Sequence, residues 1–134
     1  MKRRAKIVVT WTSVTIGALL AFLIVAERNH CPLKDYLPQD AEVVSCAYHG
    51  FIDFSTMIEA KGPPEIKEGF TDAILASRPE LRFIATGNAA WYDGTTVIEK
   101  SNGPAPFNLY QERPDQILAI GYQDGFLTVI YDSW

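Results

Sequence analysis

Hydrophobic and polar positions follow different periods along this chain, and those periods predict its elements. Residues 7–26 carry no ionisable side chain and no polar stripe, the pattern of a helix that is apolar all round. Further on, residues 43–48, a His49-Gly50 turn and residues 51–61 read as a β-hairpin. In the second arm Ile52, Phe54, Thr56, Ile58 and Ala60 fall on one face, and Asp53, Ser55, Glu59 and Lys61 on the other. A period of two with one polar side marks a strand that is buried on one face only.

Gly62-Pro63-Pro64 stops this strand and opens a helix. Proline is tolerated in a first helical turn, and Glu65 and Glu68 favour the positive end of the helix dipole. Ile66, Phe70, Ala73, Ile74 and Ser77 then share one side at three- and four-residue spacing, until Arg78-Pro79 ends the element. Residues 81–90 match neither period, and Phe83 and Ile84 are expected to seat them on the core. Strands follow at 90–92 and 95–100 around Asp93-Gly94, at 107–112, and at 116–123 and 126–132 around Asp124-Gly125. Asp-Gly between two apolar runs favours a two-residue type I′ turn. That turn sets Tyr122 opposite Leu127, Ile120 opposite Val129 and Leu118 opposite Tyr131, all on one buried face. The expected fold class is α+β: an antiparallel sheet packed on one main helix, in the order strand, strand, helix, several strands, behind an N-terminal transmembrane helix.

The membrane expectation comes from length. Twenty uncharged residues at about 1.5 Å each make about 30 Å, the thickness of a bilayer's hydrocarbon core. Lys2, Arg3, Arg4 and Lys6 flank one end, whereas Glu27 and Arg28 cancel at the other, so the positive-inside rule puts the N-terminus in the cytoplasm. The expected organisation is a cytoplasmic tail at 1–6, a transmembrane anchor at 7–26, a proline-punctuated stalk at 27–39 and an extracytoplasmic α+β domain at 40–134. That describes a single-pass protein of the cell membrane with a periplasmic domain. A cleaved signal peptide, with Ile24-Val25-Ala26 as a poor cleavage site, and a buried soluble helix are the competing readings.

Three short stretches carry a resemblance. The run Leu37-Pro38-Gln39-Asp40-Ala41-Glu42-Val43, the turn with Gly50-Phe51 and Asp53, and Gly62-Pro63-Pro64-Glu65 before a helix resemble a pattern in small uncharacterised bacterial envelope proteins, over residues 37–70. The resemblance implies a bacterial source and a compact sandwich of helix and sheet. It implies no activity.

Charge and cysteine content narrow the partners. All sixteen Asp and Glu lie beyond residue 26, against eight Lys and Arg there, so that part of the chain is near −8. An acidic domain without a basic patch repels phosphate backbones, which makes nucleic acid an unfavourable partner. A basic protein or a cationic ligand suits the charge, although acidity also serves solubility alone. Cys31 and Cys46 are the only cysteines. A bridge between them would close a loop of about fifteen residues and add about 3 kcal/mol. A free, buried Cys46 in a strand fits the pattern equally well.

Catalytic and metal-binding patterns are scarce. Glycine-rich phosphate loops, His-Glu-x-x-His, paired zinc-binding cysteines and Gly-x-Ser-x-Gly are all missing. Cys46, His49 and Asp53 form one imaginable thiol-imidazole-carboxylate group. However, Cys46 and His49 are an odd number apart, which sends them to opposite faces of an unbroken strand. Asp93, Glu99, Asp115, Asp124 and Asp132 match no calcium loop and suit turns and strand ends. No catalytic residue, cofactor or metal is expected.

The last hairpin leaves Ala119, Gly121, Phe126, Thr128 and Ile130 on its second face, apolar for a surface in water. These residues are the candidate partner face, for a protein or a second copy of the chain. The expected function is a membrane-anchored extracytoplasmic, non-catalytic interaction module. The alternatives are an immunity-type inhibitor of a basic toxin and an envelope enzyme using Cys46 or His49.

Overall fold

The computed structural model describes residues 14–22, 31–50, 54–92 and 94–133. The chain divides into two compact units, Met1–His30 and Cys31–Trp134. Within the first, residues 14–22 are helical. At about 1.5 Å per residue that is about 14 Å, under half of a hydrocarbon core. No helix among the described residues is long and apolar enough to cross a membrane. This finding corrects the expected transmembrane anchor, and with it the single-pass topology and the membrane localisation that rested on it. Uncharged composition measures hydropathy and does not by itself set the length of a helix. The rest of the 7–26 span and the cytoplasmic tail at 1–6 lie outside the described residues.

The second unit begins at Cys31, so most of the expected stalk belongs to it. A 3-10 turn at Lys34–Tyr36 leads into eight further elements: β1 (Glu42–His49), β2 (Phe54–Lys61), α1 (Glu65–Ser77), β3 (Arg82–Tyr92), β4 (Thr95–Ser101), β5 (Phe107–Gln111), β6 (Gln116–Gln123) and β7 (Phe126–Ser133). All seven strands join one antiparallel sheet in the order β1-β2-β7-β6-β5-β3-β4. The fold is therefore mostly a curled sheet with short helical pieces, which corrects the expected α+β class. The difference comes from β3: residues 82–90 of the stretch without a clear period lie in an eleven-residue strand that bonds β5 on one side and β4 on the other.

One face of the sheet is covered by α1. Ile66, Phe70 and Ile74 are its buried stripe, and they pack in one cluster with Ile58, Leu118, Ile120, Leu127 and Val129. Each such side chain stabilises the fold by about 1.5–3 kcal/mol relative to exposure. The segment before β1 adds to this layer: Leu33 is buried, the Tyr36 ring meets Phe70 edge-on at 6.2 Å, and Pro38 presses on Gly69. Tyr131 closes one end of the layer. It accepts hydrogen bonds from Gln116 Nε2 (2.8 Å) and Arg78 Nη1 (3.1 Å), and the guanidinium also lies 5.2 Å from its ring centre. Burial raises its phenol pKa above the ordinary value, and the nearby Arg78 charge only partly opposes that.

The other face is covered by the chain itself. β3 pairs with β5 only as far as Gly87; beyond it the strand continues with β4 alone. At that point the backbone comes so close to Glu99 that a Cβ on Gly87 would strike its carbonyl oxygen and the Leu109 side chain. The β3–β4 hairpin then arches back over the sheet. Its inward residues Ala85, Ala89, Trp91 and Ile98 pack on Leu109, Ala119 and Ile130. At the tip, Trp91 Nε1 donates to Ser55 Oγ on β2, and Ser55 Oγ lies 3.5 Å from Thr96 Oγ1. Gly94 in the turn rests against the His49 side chain, where a Cβ would not fit. Ser55, assigned to a wet face by its alternation, is 3% exposed for this reason.

A candidate docking groove on the uncovered end of the sheet

The five residues of the expected partner face divide into two groups. Ala119 and Ile130 are buried beneath the β3–β4 hairpin. Gly121, Phe126 and Thr128 lie further along the same face, past the edge of that cover, and line a groove of about 350 Å³. The register explains the groove's shape. Glu59, Thr128, Gly121 and Phe107 stand opposite one another on β2, β7, β6 and β5 in a single row across four strands. Residues directly opposite in antiparallel strands point to the same face. Gly121 makes the row dip, and the Phe107 ring leans over it so closely that a Cβ there would meet the ring. The next row holds Lys61, Phe126 and Gln123.

The β6–β7 turn closes this end. Asp124 and Gly125 both have positive φ, 54° and 86°, the backbone of a type I′ turn. Asp124, in that turn, is among the residues lining the groove, as is Glu59 on β2. Neither carboxylate has a cationic partner among the described residues; the ion pair there is Arg113 with Asp115 at 3.7 Å, both exposed. Glu59 accepts one long hydrogen bond, from Ser45 Oγ at 3.5 Å. Sequence reasoning missed Glu59 and Phe107, because membership of this face depends on strand pairings between distant segments.

Cys31 and Cys46 are bridged, with their Cα atoms 6.0 Å apart. The imagined group of Cys46, His49 and Asp53 thus has no thiol to act as nucleophile, since only a thiolate attacks. Cys46 packs toward the α1 layer, His49 is exposed beside Gly94, and Asp53 lies outside the described residues. Of the scattered acidic residues, Asp132 is buried opposite Ser55, Glu99, Asp115 and Asp124 are exposed, and Asp93 lies outside the described residues. Among the described residues no three His, Cys, Asp or Glu side chains gather as a metal site would require.

A second hollow, of about 290 Å³, lies between α1 and β5, with Thr71, Asp72, Asn108 and Tyr110 among its walls. Burial raises the pKa of the Tyr110 phenol there, a hydrogen bond with the Asn108 side chain lowers it, and the Asp72 charge raises it further. No protein-family model, curated protein or solved structure matches this chain.

Proposed function

We propose that the second unit is a non-catalytic interaction module that docks a partner polypeptide in the groove at the β6–β7 end of the sheet. The observation carrying this reading is the uncovered stretch of sheet face beyond the β3–β4 hairpin, with the Phe107 and Phe126 rings in the wall of a concave surface of mixed polarity. A protein that buries the remainder of this face within its own fold leaves this part open to something else. The bridge ties up Cys46, one of the two residues on which the enzyme reading rested.

The test places a photoreactive side chain at Thr128 in the groove and, separately, at Val97 on the outer edge strand. The expected result is one protein crosslinked from position 128 and lost from position 97, with the crosslink reduced by Phe126→Ala. Equal labelling from both positions, or turnover of a small metabolite by the purified chain, overturns the reading.

A second reading, inhibition of a basic toxin, is favoured by the acidic excess: Cys31–Trp134 holds fifteen Asp and Glu against seven Lys and Arg. It differs in a measurable way. Association would fall steeply with salt, and the bound partner would lose its own activity.

A further inference from the structure

We propose that the groove takes a basic, extended segment of its partner, holding a lysine or arginine side chain against the Phe107 and Phe126 rings and between the carboxylates of Glu59 and Asp124. This rests on the docking reading above and adds the chemistry of what docks. Two observations carry it. First, the groove is lined by two carboxylates and two phenylalanine rings and by no cationic side chain. Second, neither carboxylate is neutralised by a cation among the described residues.

Aromatic faces attract ammonium and guanidinium groups, and more strongly where water is excluded. The apolar stem of a lysine or arginine matches the ring-lined floor while its head reaches the rim. Gly121 supplies the depth, since any side chain there would displace the Phe107 ring. A hollow of about 350 Å³ accommodates one long side chain with a small neighbour, but no folded surface. The wider field agrees: an excess of eight negative charges over Cys31–Trp134 draws cations to the surface before any contact forms. Lys61, opposite Phe126 in the sheet, is the native cation nearest in register, and it is not among the residues that line the groove.

The experiment uses the full chain and a fluorescein-labelled octapeptide of alternating arginine and leucine. A second peptide has every arginine replaced by glutamine. Binding is followed by fluorescence anisotropy. The arginine peptide is expected to bind, and Glu59→Gln with Asp124→Asn to weaken it by about tenfold or more. Glu68→Gln with Asp72→Asn removes equal charge from the α1 side and is expected to change affinity by less than about twofold. Lys61→Gln is expected to tighten binding.

If the two charge-removing pairs weaken binding equally, only net charge acts and the proposal falls. If the glutamine peptide binds as well as the arginine peptide and Phe126→Ala abolishes both, the groove docks chains but the cationic chemistry is wrong. If arginine-peptide binding ignores Phe126→Ala, the docking reading itself fails. Absence of arginine-peptide binding up to about 1 mM, the weak end of specific recognition, overturns the proposal directly.

Discussion

Trp91 donates its indole N–H to the hydroxyl of Ser55, joining the tip of the β3–β4 hairpin to β2 across three intervening strands of the sheet. This bond fastens the curl. Trp91 is also the largest side chain packed against the second cluster, so it links a polar clasp to apolar burial.

Replacing Trp91 by phenylalanine keeps an aromatic ring and removes the donor. The buried Ser55 hydroxyl then loses a partner, and stability is expected to fall by about 1–2 kcal/mol in urea unfolding. Amide exchange of Ala89 and Ile98 is expected to quicken, while that of Ile66 and Phe70 stays slow. Uniform acceleration would mean that the hairpin is not a separable cover.

The Cys31–Cys46 bridge pins the segment carrying Leu33 and Tyr36 over α1. Closing a loop of about fifteen residues stabilises by about 3 kcal/mol. Reduction, or Cys31→Ser with Cys46→Ser, is expected to lower the urea midpoint accordingly and to expose Tyr36. An unchanged midpoint under reductant would show that the bridge adds nothing to the folded state.

Gly87 and Gly121 are both crowded, but by different atoms. A methyl at Gly87 meets the backbone carbonyl of Glu99, whereas at Gly121 it first meets the Phe107 ring. Gly87→Ala is expected to cost about 1–3 kcal/mol, in the range of overpacked cores. Gly121→Ala is expected to cost less and to fill the groove, which is read as lost crosslinking from position 128. Equal destabilisation by both would place Gly121 in the core.

Tyr131 and Tyr110 carry phenols held above the ordinary tyrosine pKa of 10.0, chiefly by burial. A raised pKa means that the folded state keeps its proton more tightly than the unfolded chain. The associated stability is therefore complete below pH 10 and is lost as pH rises from 10 through the folded values. Thermal unfolding should show a midpoint that declines above pH 10, and Tyr131→Phe should make that decline shallower. At neutral pH the same substitution is expected to cost about 1–3 kcal/mol, because Arg78 and Gln116 lose their shared acceptor.

Local chemistry made several elements legible. Asp124-Gly125 foretold the β6–β7 turn, and the pairs Tyr122 with Leu127, Ile120 with Val129 and Leu118 with Tyr131 occur in the sheet as that turn requires. Gly62-Pro63-Pro64 foretold the start of α1, whose buried residues Ile66, Phe70 and Ile74 belong to the spaced stripe. What stayed hidden was non-local. The cover over Ala119 and Ile130 comes from a hairpin about thirty residues upstream, and no period within β6 or β7 can announce it. The same cover buries Ser55 on the face that its alternation had marked as wet. The groove was half legible: Gly121, Phe126 and Thr128 stood out as an apolar face, but Glu59 and Phe107 joined them only through the strand order. The uncharged run at 7–26 pointed to a membrane anchor through hydropathy alone, whereas no helix among the described residues is long and apolar enough to cross a membrane.

The strand order also governs when the sheet can assemble. β2 has no inner neighbour but β7, and more than sixty residues separate them in the sequence. On a ribosome the first hairpin must wait, its inner edge open to any passing strand, until residues 126–133 emerge to seal it. An unpaired edge is a template for mispairing, so β7 closes a liability that the growing chain carries from the first hairpin onward.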